Sequence, residues 1–541
     1  MSVRLVPLLL TLLFLLVGCG RADPPGVRRP QEIGKPVDGD TIVTGSIGEA
    51  STLIPLLASD AASHSIAGYI YNGLVKYDKE LNLVGDLARS WEVSRDGLVI
   101  TFHLRRGVKW QDGHEFTSRD VLYTYRVTID PKTPTSYAED FKQVKKVEIP
   151  DPYTVRVTYD HPFAPALASW GSSVLPAHLL EGKDITLSEL ARRPVGTGPY
   201  RLKEWVAGQK ITLEAFEGYF EGRPHLDRVV DRLIPDSATM YMELKAGGID
   251  MMNLTPVQFQ RQTMDNSFLA RFNKYRYPAS SYVYMGYNLR NPLFSDVRVR
   301  RALTHAINKE ELIQGVLLGM GQTAKGPYKP GSWAWNPNIK EPVYDPAAAR
   351  KLLAEAGWRE TDGDGILRRG GKPFQFTVLT NQGNAERLKT AQIIQQRLRS
   401  VGIDMKIRVI EWASFITHFI DNRNFEAVIL GWSLGQDPDI FDVWHSSKTG
   451  KKELNFIGYK NDEVDRLIVA GRGTFDQLER QRCYRRIQEI LAQEQPYTFL
   501  YVPDALPTVS ARVRGITPAP AGITHDFIKW HVPRNEQKYT Q

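Results

Sequence analysis

The sequence predicts a large α/β protein of several structural units in irregular order, and three observations carry that reading. Segments with two-residue apolar alternation are widely scattered, at Ile100, Phe102 and Leu104, at Val155 and Val157, at Ile211, Leu213 and Ala215, and at Met405, Ile407 and Val409. Helical and strand spacing alternate between Leu388 and Leu430, as in a layered α/β domain. A chain of 541 residues with 42% hydrophobic and 24% charged residues exceeds a single core and is neither a fibre, a disordered chain nor a multispan membrane protein.

At the N-terminus, Arg4 precedes the apolar run Leu5–Val17, which is short for a membrane span and suited to a secretory signal. It ends Leu16-Val17-Gly18-Cys19, which resembles the lipobox of bacterial lipoproteins and implies residues 1–18 as a cleaved signal with Cys19 as the lipid anchor. Residues 19–39 contain Pro24, Pro25, Pro30 and Pro36 among charged and small residues and read as a tether. No later stretch approaches 18 consecutive apolar residues, so the body is expected outside the bilayer, attached only by its lipid.

Helix signals sharpen in the second half. Asn308 with Glu311 three residues on has the form of a capping box and divides Arg298–Leu318 into two helices, the first burying Ala302, Leu303 and Ala306. Asp345-Pro346 supplies an N-cap and a first-turn proline, and Gly357 the matching stop. Leu388, Ala391, Ile394, Leu398 and Val401 mark a helix ending before Gly402. A strand Ile403–Ile410, a helix Trp412–Asn422 and an apolar strand Phe425–Leu430 follow.

Most chemistry is excluded. There is no GxxxxGK[ST], HExxH or GxGxxG pattern, and Gly196-Thr-Gly198-Pro reads as a tight bend. The 11 histidines lack ligand spacing, Asp362-Gly-Asp364-Gly is a turn rather than a calcium loop, and Cys483 reads as a buried thiol. A net charge of +8 without a concentrated basic arm argues against nucleic acid. No enzyme activity, metal or cofactor is expected.

A series of short motifs then carries a family resemblance. It runs Tyr71-Asn-Gly-Leu74, Leu87-Ala-Arg-Ser-Trp91-Glu, Asp96-Gly97, Phe102-His-Leu-Arg105, Val108-Lys-Trp110-Gln-Asp112-Gly113 and Phe116-Thr-Ser-Arg-Asp120-Val121. Gly196-Thr-Gly-Pro-Tyr200, Gly247-Gly-Ile-Asp250, Val299-Arg-Arg-Ala302 and Asn455–Tyr459 continue it. From about Thr41 to Pro533 the chain resembles the extracytoplasmic solute-binding proteins of the dipeptide/oligopeptide ABC-transporter family, bacterial solute-binding protein family 5. Each motif also has a structural reading: Trp91, Phe102 and Trp110 as core rings, the Asp-Gly pairs as hairpin turns.

The resemblance implies a two-lobed periplasmic-binding-protein fold of type II, with an extra inserted domain and a cleft closed by a hinge. Expected divisions are 40–64, 194–284 and 500–533 for the first lobe, 65–193 for the insertion and 285–499 for the second lobe. It also implies a monomer that hands a peptide or other small solute to ABC permease subunits driven by cytoplasmic ATPases. An extended peptide would be held by backbone hydrogen bonds at Gly431, Trp432, Ser433 and Leu434, opposite Ala61, Ala62 and Ser63 with Tyr71 beyond. Trp432 reads as ligand wall or core ring. The sequence departs from the best-known peptide binders at Gly435, where they carry an aspartate for the ligand's ammonium. Asp437, or Asp439 beside it, either replaces that carboxylate or forms a structural turn. The other solutes open to this scaffold are nickel chelates, haem, opines and oligosaccharides, for which Trp432, Trp412, Tyr284 and Tyr71 would serve as stacking surfaces.

Overall fold

Two seven-stranded sheets, each with helices packed on it, organise the computed structural model, which describes residues 35–361 and 363–539. The signal segment, Cys19, the tether up to residue 34 and Asp362 lie outside those residues. The first sheet runs, edge to edge, Phe272–Lys274, Pro507–Ser510, Met251–Asn253, Thr41–Ser46, Arg228–Leu233, Lys210–Ala215 and Tyr200–Val206. The second runs Tyr277–Pro278, Tyr497–Ala505, Ser281–Tyr287, Ala427–Ser433, Gln375–Asn381 and Asp404–Ile410, with Gly321–Thr323 added beside Tyr497–Ala505. A third, four-stranded sheet, Ala88–Val93, Val99–Leu104, Thr154–Tyr159 and Val144–Asp151, lies within 65–193.

The chain crosses between the two large sheets twice. It leaves the first after Lys274 and enters the second at Tyr277, then returns between Ala505 and Pro507. The expected divisions at 284/285 and 499/500 therefore fall inside strands of the second sheet, Ser281–Tyr287 and Tyr497–Ala505. The crossings leave no mark in the apolar pattern, because strand continues without a break up to each of them. The crossings lie side by side: Tyr275 N donates to Pro507 O at 3.0 Å, and Arg276 Nε to Asp504 Oδ2 at 2.6 Å.

Local signals in the second half decide the helices. Asp345 Oδ1 accepts the N–H groups of Ala347 and Ala348, both at 2.9 Å, and Gly357 takes φ +90° after the helix Pro346–Glu355. Asn308 caps Lys309–Gly315 through Glu311 N at 3.1 Å, but the reciprocal half of the capping box is not made, because Glu311 pairs bidentately with Arg397. Trp412–Ser414 opens into a π-helix, Phe415–Ile420, instead of one α-helix to Asn422. The strand expected to end at Leu430 runs to Ser433, because Ser281–Tyr287 pairs with it as far as Ser281–Ser433.

The inserted domain is tied to the first lobe by motif residues. Gln111 Oε1 accepts Gly196 N at 3.0 Å, and its amide donates to Tyr200 O at 2.7 Å. Gly198 N donates to Ile70 O at 2.7 Å, and a Cβ on Gly196 would sit 1.8 Å from that same oxygen. Only glycine permits this approach. Phe102 and Trp110 are fully buried, as expected, whereas Trp91 is only half-buried.

Inside the first lobe, Arg512 gathers three strands. It donates to Asp250 Oδ1 at 2.8 Å and Oδ2 at 2.6 Å, to Thr41 O at 2.7 Å, and to Asp40. All three charged residues are buried. Removing one partner strands buried charge, so Arg512→Met should lower stability by about 3–5 kcal/mol. Urea unfolding of the two proteins measures this, and a loss under about 1 kcal/mol would contradict the staple.

A candidate ligand cleft between the lobes

The strand Ala427–Ser433 has one satisfied edge and one open one. Along Ser281–Tyr287 it is paired over its full length. On its other side, Gln375–Asn381 pairs with it only at Ala427 and Val428. Among the described residues no strand continues that side at 430–433, so backbone donors and acceptors there face a cavity. Gly431 permits a close approach: a Cβ would lie 2.9 Å from Arg387 Nη2 and 3.0 Å from Tyr282 O.

Opposite stands the first turn of the helix Ala61–Ile70. Its cap is Asp60, which accepts Ser63 N at 2.9 Å, Ser63 Oγ at 2.7 Å and Ser51 Oγ at 2.6 Å. Between helix and strand end lies a cavity of about 810 Å³, bounded also by Tyr77, Tyr137 and Asp140 of the inserted domain. A second compartment of about 580 Å³ shares Ala61, Ser65 and Trp412 with it and reaches Asn381 and Arg387. A third, of about 410 Å³, shares Trp432, Ser433 and Gly435–Asp437.

This sorts the residues that the sequence nominated. Gly431, Trp432, Ser433, Asp437 and Ala61 line the central cavity, Leu434 the third compartment and Ala62 the second. Ser63 does not face the cleft. It is fully buried, its hydroxyl spent on Asp60 and on Ser51 N, because a residue at the third helical position of a capped turn points back at the cap. Tyr71 is buried against a different cavity of about 1200 Å³, between the first lobe and the inserted domain. Trp432 is both wall and packing: half-buried, it donates to Tyr497 OH at 3.2 Å and stacks parallel to Tyr284 at 6.4 Å. Trp412 lines two compartments, and no hydrogen-bond partner in the described residues takes its Nε1.

The central cavity is acidic. Asp60, Asp140, Asp421, Asp437, Asp439, Asp442 and Glu453 line it, with Lys452 as its basic member. Asp437 is held by Arg480 at 2.7 and 2.9 Å, and Asp439 by Arg472 at 2.7 Å. Burial, followed by the charge of Asp140, pushes Asp442 up to about 8. Asp140 is likewise raised, by burial and then by Asp439. The second compartment carries both signs, Glu49, Asp231 and Glu386 beside Lys210 and Arg387; Arg387 donates to the uncharged Asn381 Oδ1 at 2.9 Å, and burial lowers its pKa. Sequence reading missed Arg387, Asp140 and Asp442, since nothing local separates them from the other charged residues on their surface helices.

The lobes touch across this cleft. Arg472 of the second lobe, buried, bonds both Asp439 and the inserted domain's Asp140, and its carbonyl accepts Ala164 N at 2.8 Å. Lys448 lies 3.2 Å from Glu139, 3.5 Å from Asp442 and 3.2 Å from Glu453. Ser136 Oγ donates to Lys452 O at 2.7 Å. The Trp412 ring covers Gly48 so closely that a Cβ there would meet Cδ1 at 2.8 Å.

Known proteins share this two-lobed α/β fold. Residues 82–453 match the sequence profile described as the middle region of bacterial extracellular solute-binding proteins, family 5. The oligopeptide-binding protein AppA of Bacillus subtilis strain 168 is 35% identical over 538 residues, 98% of each chain. Its structure in complex with a nonapeptide superposes with a TM-score of 0.88 over 92% of this chain and all of that one. NikZ of Campylobacter jejuni in complex with Ni(L-His), 28% identical, gives 0.83 over 91% of this chain and 99% of its own. Among the described residues no helix is long and apolar enough to cross a membrane. By profile, by relatives and by fold, the chain belongs to the family 5 extracellular solute-binding proteins, which serve ABC transporters as substrate-binding components and not as enzymes.

Proposed function

We propose that this protein is the receptor of an ABC importer for short peptides, anchored outside the cytoplasm through a lipid on Cys19 and delivering its cargo to a membrane permease. The observation that carries the peptide reading is the unpaired edge at 430–433 opening into the cavity. An extended peptide completes that edge with main-chain hydrogen bonds, which every sequence can supply. Arg387 gives it a direction: its ammonium toward the carboxylates around Asp439 and Asp442, its carboxylate toward that guanidinium. Gly435, in place of an aspartate, is then compensated by carboxylates from Asp437–Asp442 and from the inserted domain. The nonapeptide held by AppA supports this reading, and Ni(L-His) in NikZ marks the competing one. Native mass spectrometry of protein purified without denaturation should find a peptide mixture; a single non-peptide mass would refute the proposal.

The position of the ammonium has a pH signature. With Asp442 raised to about 8 in the closed cleft, closure around a ligand lacking a cation takes up a proton between the ordinary carboxylate range and pH 8. Affinity for an N-acetylated peptide should therefore rise as pH falls from 8 to 6, by up to about tenfold per unit for one proton. The same peptide with a free amine, which supplies the missing counter-charge, should bind more tightly at pH 8 and give a flatter profile. Calorimetry at three pH values distinguishes them, and identical profiles would place the ammonium elsewhere.

The interlobe ion pairs make closure itself testable. Asp140→Asn removes one arm of the Arg472 bridge while Asp439 still holds the guanidinium. Ligand should dissociate about tenfold faster, a loss of about 1–2 kcal/mol, with the unliganded melting temperature little changed. Stopped-flow release reads the effect, and an unaltered rate would mean that the bridge does not hold the closed form. Arg387→Met should weaken a peptide ending in a free carboxylate and spare its C-terminal amide, as competition binding would register; equal losses would remove Arg387 from ligand recognition.

A further inference from the structure

On the inserted domain, away from the three cleft compartments, two histidines and an aspartate converge at the surface. Asp112 and His114 sit on the hairpin turn after Trp110, and His178 on the short helix Ala177–Leu180. His178 Nε2 lies 2.7 Å from Asp112 Oδ2, and His114 Nδ1 lies 3.3 Å from Asp112 Oδ1. One ligand atom from each residue falls within 4.8 Å of the other two. The imidazole rings stack face to face, centroids 4.1 Å apart and planes 24° from parallel, so the exposed His114 ring has to turn for both in-plane lone pairs to meet one ion.

The scaffold behind these donors is rigid. Trp110, fully buried, anchors the turn, whose Trp110 N donates to His114 O and Gly113 N to Trp110 O, both at 2.8 Å. The helix carrying His178 is pinned where buried Asp120 accepts Ala177 N at 3.0 Å. A tetrahedral ion with bonds of 2.0–2.1 Å has ligand–ligand edges of about 3.3 Å, the spacing already present between His114 and Asp112. The proton shared by His178 and Asp112 would leave to solvent as the metal takes its place. With 63% of its side chain exposed, His114 leaves the site open to entry and to water as a further ligand.

We infer that Asp112, His114 and His178 form a surface site for a borderline divalent transition ion, zinc being the natural probe. Two imidazoles and one carboxylate suit zinc, nickel or copper and not the oxygen-seeking magnesium or calcium. None of the three lines the peptide compartments, so the site is independent of cargo.

The test uses the full chain without an affinity tag, stripped with EDTA and dialysed. Titration with zinc against a chromophoric chelator should give one equivalent bound in the micromolar range, and cobalt in its place should show visible d–d bands. His114→Ala, an exposed substitution that leaves the metal-free melting temperature unchanged, should weaken zinc at least tenfold and erase the cobalt bands; Asp112→Asn should do the same. Peptide affinity of His114→Ala should equal that of the parent. Zinc binding that survives His114→Ala undiminished, or no stoichiometric binding by the parent chain, overturns the assignment.

Discussion

A strand staggered past its neighbour is the constraint on which this molecule turns. Buried backbone amides and carbonyls must be paired, and the end of Ala427–Ser433 is paired on one side only. The far side is left to water or to a ligand. A scaffold that recognises backbone before side chain therefore needs no catalytic group. It needs a strand end that stays rigid while open, and Trp432, stacked near Tyr284 and bonded to Tyr497, supplies that rigidity from one face while walling the cavity with the other.

Charge gives the open edge its polarity. Carboxylates of both the second lobe and the inserted domain meet at the central cavity, and the arginines and lysine that compensate them stand behind the wall rather than inside it. Asp140, on the short helix Ala138–Lys142, thus lines the cavity although it belongs to another sheet's domain. Burying these carboxylates costs energy, and the ammonium of the proposed peptide would offset that cost. The lobe contacts and the cavity wall share charges, since Arg472 and Lys448 pair with Asp140, Asp439, Asp442 and Glu453, all of which line the cavity.

The motifs that identify the family do little of this. Gln111, Gly196, Gly198 and Tyr200 knot the inserted domain to the first lobe, and Asp250 holds Arg512. They keep three bodies in register, so that residues from distant segments face one another to within a hydrogen bond. Their spacing is legible because short-range geometry demands it: a glycine against a carbonyl, an aspartate at a cap, an aromatic ring in a core.

By itself the sequence determined the α/β class, the capped helices at Asp345 and Asn308, the buried rings at Phe102 and Trp110, and the strand leading to Trp432. Each follows from periodicity or from a cap, interactions that span a few residues. Tertiary structure decided the rest. It extended that strand to Ser433 through pairing with Ser281, buried Ser63 behind its cap, moved Tyr71 to another cavity, and brought Asp140 and Arg387 to opposite parts of the cleft. The lobe crossings at 275–276 and 506 belong here too, because a strand changes sheets without changing its pattern. The physical reason is common to all of these: which neighbour a residue meets depends on pairing between segments hundreds of positions apart, and local spacing carries no record of the partner.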